Sequence, residues 1–172
     1  MPLLTLLATL APSVFTLLIF TLRLLPIPVP PGAQGAGDAE LAYRLELVQA
    51  CADATPDRSE RYICAKIPRF ESNYRSDVGR CKIKGGEGEI TAWQIIPRSP
   101  SERDRLCDTL LGDARVAVER IRESRAACRH LPKEEQLALY ARGDCGSIEG
   151  RKLSRHRFPT DAEVKRVETE AW

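Results

Sequence analysis

Histidine is scarce in this chain: only His130 and His156 occur, and no two of its cysteines form a Cys-x-x-Cys pair. Zinc sites draw on those residue types at close spacing, so no metal is expected, and nothing in the sequence calls for a cofactor. A concentrated basic face is also missing. The formal net charge is +2 over 172 residues, with acids and bases interspersed, whereas phosphate backbones are held by clustered cations. Nucleic acid is therefore not expected as a partner. The one exception is Arg151, Lys152, Arg155 and Arg157, which reads as a solvated surface, or as a patch for an anionic polymer. Internal repeats are lacking, and so is low complexity beyond one short linker.

Residues 3–22 are uncharged and almost wholly apolar, ending at Arg23. About 20 such residues can cross a bilayer as a helix. A signal peptide usually has a shorter apolar run behind a basic start, and no Lys or Arg precedes this one. Ala33-Gln34-Gly35 is nevertheless a passable cleavage site. Cleaved signal and retained anchor both stay open, and the length of the run favours the anchor. Arg23 taken alone would keep its flank in the cytoplasm. Six cysteines, Cys51, Cys64, Cys81, Cys107, Cys128 and Cys145, stand against that. An even set in a small domain reads as disulfides made in an oxidising compartment, periplasmic or extracellular, although spacing does not choose the pairing. Contact with a membrane is expected only through the N-terminal segment, if it is uncleaved.

The expected organisation is an apolar signal or anchor over 1–25, a Pro/Gly linker over 26–37, and one domain over 38–172. Leu41, Leu45, Leu47 and Val48 predict a first helix reaching about Cys51. Thr55 or Asp57 would cap a second, with Tyr62, Ile63 and Ile67 leading to Glu71 and Pro68 kinking or ending it. The stretch 77–97, with Gly79, Gly85, Gly86 and Gly88 and alternation around Ile90, Ala92 and Gln94, predicts a hairpin-like excursion. Further helices are expected from about Ser101 through Leu111, from about Asp113 through Ile121, and from Pro132 to Gly143. Thr160 would cap a last short one through Val164 and Val167. The fold class is mainly α with a small β element.

Glu71 is the candidate for proton chemistry. A carboxylic acid that donates a proton near neutral pH needs an apolar, partly desolvated setting. This one follows Phe70 at the end of a core helix, just before the irregular segment. A glutamate at a helix end is ordinarily solvated, and its neighbours carry the case. Glu71-Ser72-Asn73-Tyr74 is followed by Ala92-Trp93-Gln94-Ile95-Ile96-Pro97 and then by Ala138-Leu139-Tyr140-Ala141-Arg142-Gly143.

This ordered triple resembles the motifs of lytic transglycosylases and goose-type lysozymes: Glu-Ser-x-aromatic, Gly-Leu-Met-Gln with a nearby proline, and Ala-Tyr-Asn-x-Gly. The resemblance covers about residues 62–143. It implies a lysozyme-like α+β domain with a small β-hairpin beside an active-site cleft, and cleavage of the β-1,4 bond between N-acetylmuramic acid and N-acetylglucosamine in peptidoglycan. By the same resemblance Glu71 is the catalytic acid and then base, Ser72 supports it by a hydrogen bond, Gln94 bonds the sugar's acetamido group, and Tyr140 orients the acid. Trp93 replaces the usual methionine and could stack on a sugar or fill the core. Ala141 stands where the family has asparagine, which puts subsite preference in doubt.

A lytic enzyme needs no second carboxylate, because the sugar's acetamido group and 6-hydroxyl complete the reaction and leave a 1,6-anhydro end. An inverting hydrolase needs a base about 6.5–9.5 Å from the acid. Glu87 and Glu89 are candidates, with solvated turn residues as the plain alternative. A non-catalytic wall-binding module fits the charge and the cysteines equally well. A small cysteine-rich inhibitor has no use for the ordered motifs. Cysteine-nucleophile chemistry would need a free thiol beside a histidine.

Overall fold

The structure, a computed structural model, describes residues 34–160. The apolar run 3–22, residues 26–33 of the expected linker, and the helix expected after Thr160 lie outside the described residues. No described helix is long and apolar enough to cross a membrane.

Three helices make the frame. Helix α1 is Gln34–Ala54 and buries Tyr43, Leu47, Val48, Ala50 and Cys51 along one face. It starts earlier than expected: positions 34–37, read as linker, are its first turn, even though glycine costs a helix interior roughly 1 kcal/mol per residue. Helix α2, Arg58–Glu71, is capped by Asp57, whose carboxylate accepts the Glu60 N–H at 2.8 Å. Thr55 instead holds the approach, accepting the Asp57 N–H and donating to Glu60 at 2.6 Å. A four-residue turn, α3, Ser76–Gly79, follows. Helix α4 is Pro100–Arg105 and α5 is Leu110–Ala127.

The break between α4 and α5 falls at Leu106–Thr109 rather than near Asp113. Cys107 has φ 74°, in the left-handed region, and its N–H leaves the helix to meet the Asp113 carboxylate at 2.7 Å. The small Ala114 and Ala117 on α5 are fully buried and let α1 approach closely, while α2 closes the other side. Past α5, a 3-10 turn at Lys133–Glu135 leads into α6, Ala138–Arg142, which Gly143 ends at φ 68°.

A helix that the sequence reading did not anticipate then follows: α7, Ile148–Arg157, capped by Ser147. It lies on α6 with almost no apolar surface. Gly150 permits the approach, since a Cβ there would stand 3.1 Å from the Ala138 carbonyl. Ser154 supplies the bonds, donating to the Glu134 carbonyl at 2.7 Å and accepting the Leu137 N–H at 2.9 Å.

The architecture is thus mainly helical. The expected β-hairpin is not formed: among the described residues there is no strand, only one antiparallel bridge between Ile90 and Ile95. Glycines and side-chain bonds take the place of a ladder in the stretch before it, where the Glu87 N–H turns inward to the Glu89 carboxylate at 2.8 Å.

All six cysteines pair with their neighbours in sequence: Cys51–Cys64, Cys81–Cys107 and Cys128–Cys145. The first joins α1 to α2, the second joins the loop after α3 to the α4–α5 corner, and the third joins the end of α5 to the α6–α7 connection.

Candidate active site

The site begins with a proline. Pro68 lies inside α2 and has no N–H, so the carbonyl of Cys64, one turn earlier, loses its ordinary helical donor. The indole of Trp93 fills the gap, donating Nε1–H to that carbonyl at 2.9 Å. Trp93 is wholly buried. It is a core residue, and the sugar-stacking alternative is corrected: no face of it meets solvent.

Around Trp93 the chain makes a tight loop closed by the Ile90–Ile95 bridge. Thr91 and Gln94 both take left-handed φ, at 69° and 48°. For a β-branched threonine this is strained backbone, of the kind held only where the surroundings insist on it. Here the Gln94 N–H and side-chain amide both donate to the Thr91 carbonyl, at 3.2 and 2.9 Å. Gln94 is half-buried, and its Oε1 lies over Gly85, where an added Cβ would come within 2.9 Å. The Glu89 carboxylate lies over the same glycine, so Gln94 and Glu89 converge there. Glu87 is exposed.

Tyr140 is carried by α6. Its phenol donates to the Trp93 carbonyl at 2.7 Å, and its N–H donates to the buried Ser124 hydroxyl at 3.0 Å. Trp93 is therefore held by two motifs, α2 through its indole and α6 through its carbonyl. Burial, and then the nearby Glu71 carboxylate, push the Tyr140 phenol well above its ordinary value, with Arg157 acting in the opposite sense. It stays a donor at every physiological pH.

Glu71 is the last residue of α2, and its side chain is 17 % exposed. Phe70, the apolar neighbour before it, is itself an exposed side chain. The partner of Glu71 is Arg157 at the end of α7, whose Nε donates to Glu71 Oε1 at 2.5 Å. Arg157 is buried, the exception in a basic run whose Lys152 and Arg155 face solvent as expected. Arg155 and Arg151 also pair, both with Glu135.

Ser72 does not bond Glu71, contrary to expectation. Its hydroxyl and its N–H both turn back to the Pro68 carbonyl, at 3.0 and 3.1 Å, because the helix end needs donors there. Beyond it Asn73 and Tyr74 are left-handed, and Tyr74 folds beneath α2 with its ring buried under the Arg44 guanidinium, 4.7 Å away.

Arg142, two residues after Tyr140, is exposed and pairs with Glu149 at 2.9 Å. The Glu149 hydrogen bond chiefly raises its already high value, and Glu87 and Glu71 add to this.

The structure therefore draws Glu71, Trp93 and Tyr140 into one cluster, with Gln94 beside Trp93 in the same loop and Glu89 beside Gln94. It leaves Ser72 facing α2. In the sequence Arg157 reads only as part of a basic surface run and not as a site residue, although Ser147 as a helix cap and a basic last turn at Arg155, His156 and Arg157 are signs of a helix ending there. Among the described residues no cluster of His, Cys, Asp or Glu could hold a metal ion. No protein-family model, curated protein or solved structure matches the chain.

Proposed function

We propose that the chain is an exported enzyme with a lysozyme-like domain that cuts the glycan strands of peptidoglycan, with Glu71 as general acid and then base. The observation that carries this reading is the bond from the Tyr140 phenol to the Trp93 carbonyl beside the Glu71 carboxylate. It ties two of the three sequence motifs, and the Trp93 indole ties them in turn to α2, the helix that ends at Glu71; the three resemble those of lytic transglycosylases in the same order. The three disulfides fit an oxidising compartment.

In this reading a proton on Glu71 passes to the glycosidic oxygen as the bond to the muramic acid anomeric carbon breaks. The sugar's acetamido oxygen supports the positive centre. Glu71, now a carboxylate, takes the proton of the muramic acid 6-hydroxyl, whose oxygen closes on the same carbon and leaves a 1,6-anhydro end. Oε1 is engaged by Arg157, so Oε2 is the oxygen that handles the proton. Gln94 bonds the acetamido group. Tyr140, fixed at both its N–H and its hydroxyl, sets the wall beside the acid.

Glu71→Gln keeps the shape and removes the proton. We expect folding and wall binding to survive while solubilisation of purified wall falls about 10²–10⁴-fold. A wild type that solubilises no wall at any pH would instead make the chain a wall-binding module. The second reading is hydrolysis, with Glu89, whose carboxylate meets Gln94 over Gly85, as the base that activates water. Mass spectrometry of the products separates the two, since reducing ends without anhydro-sugar mean that water was the nucleophile.

A further inference from the structure

We propose that Arg157 is the positioning residue of Glu71 in this reaction, so that the site is completed by a helix outside the stretch carrying the three motifs. The inference rests on the function proposed above and concerns how its acid is held.

Glu71 ends α2, and the chain then turns left-handed at Asn73 and Tyr74, so no further helical turn steadies its side chain. What holds it is the Arg157 Nε–H on Oε1, 86 residues further along the chain. The guanidinium itself is fixed. It is 9 % exposed, and its Nη1 donates to the Leu153 carbonyl of its own helix at 3.1 Å. The next residue, Phe158, is pinned to α2 by the Lys66 ammonium, which donates to the Phe158 carbonyl at 3.0 Å in a buried contact. Lys66 lies five residues before Glu71. The end of α7 thus meets α2 at two points, and the arginine has one place to stand.

Two consequences follow for the chemistry. The N–H on Oε1 restrains one oxygen of the carboxyl and leaves Oε2 to face the reacting oxygen. In the second step, where Glu71 is a carboxylate taking the 6-hydroxyl proton, its charge lies beside a cation already in place, with no rearrangement needed to meet it. Misplacing a reacting group by about 1 Å costs on the order of 100-fold in rate.

Kinetics on a soluble peptidoglycan fragment, with the full chain and its disulfides intact, test this. Arg157→Gln is expected to lower kcat about 100-fold with KM within about twofold, since positioning acts on the chemical step. Arg157→Lys, which restores the charge without the planar fork, should recover to about tenfold below the wild type. An Arg157→Gln variant whose kcat stays within about twofold of the wild type, with only its melting temperature lowered, would show a purely structural ion pair and overturn the proposal. Arg157→Lys no faster than Arg157→Gln would overturn it as well. Should Arg157→Gln fail to fold, Arg157→Lys carries the test, and wild-type kcat in that variant overturns it. Glu71→Gln run in parallel keeps the two ideas apart. A wild type without activity sinks the proposed function and this inference together, whereas active enzyme with active Arg157→Gln sinks only the inference.

Discussion

Asp113 shows how one side chain in this fold is held against its preference. It is buried in the first turn of α5, where its carboxylate caps the Cys107 N–H at the left-handed corner beside the Cys81–Cys107 disulfide. Burial raises it from 3.8 to about 6, the Cys107 N–H lowering it and Asp108 raising it further. The charged form is thus penalised in the folded protein but not in the unfolded chain. Above pH 6 the whole penalty is present. As the pH falls from 6 towards 4, the folded protein takes up a proton that the unfolded chain does not, and the penalty is relieved. One pH unit corresponds to about 1.4 kcal/mol, which bounds the effect at roughly 3 kcal/mol. Asp113→Asn keeps an acceptor for Cys107 but forfeits the favourable charge at a helix N-terminus. We expect it to be about 1–2 kcal/mol more stable than the wild type at pH 8, with the gain gone near pH 4. Denaturant midpoints at the two pH values would decide, and an equal difference at both would count against a buried, reluctant carboxylate.

At the scale of elements, the gap that Pro68 leaves in the α2 ladder is what docks the Trp93–Gln94 loop. Trp93→Phe strips the Cys64 carbonyl of its donor, and a buried acceptor left unsatisfied costs about 1–3 kcal/mol. In a Pro68→Ala background the new Ala N–H completes the helix and satisfies that carbonyl, so the same tryptophan substitution should cost about 1 kcal/mol less. Strictly additive losses in this double-mutant cycle would mean that the indole is there for its volume alone. The sequence made α2, α5 and α6 legible through apolar periodicity and through caps such as Asp57 and Gly143. It also brought Glu71, Trp93 and Tyr140 into one reading by their order. It misled where bonding replaces burial. Helix α7 packs through Gly150 and Ser154, so its pattern reads as charged surface and hides Arg157. The loop around Ile90 alternates like a strand, yet Thr91 and Gln94 turn left-handed and allow one bridge only. Which way Ser72 faces depended on a helix end competing for its hydroxyl, which no local pattern reveals.

At the scale of the whole molecule, the three disulfides close loops of similar length, with sequence separations of 13, 26 and 17. Loop-closure entropy alone makes each worth about 3 kcal/mol, so removing any one pair should lower stability by a similar amount. Their relation to the candidate site differs. Cys51–Cys64 joins two long helices that also meet over a broad buried face, which keeps them in register without it. Cys128–Cys145 closes the segment holding the 3-10 turn and α6, a helix of five residues that carries Tyr140 and is too short to persist unaided. Replacing Cys128 and Cys145 by serine should therefore loosen the Tyr140 bond to Trp93 and reduce wall cleavage well beyond the loss from replacing Cys51 and Cys64, at equal cost in denaturant midpoint. Assays run at about 10 °C, where both double variants are expected to stay folded, separate the two quantities. If the two pairs lose activity in step with stability, Tyr140 has no special dependence on its tether, and the site is held by the core as a whole.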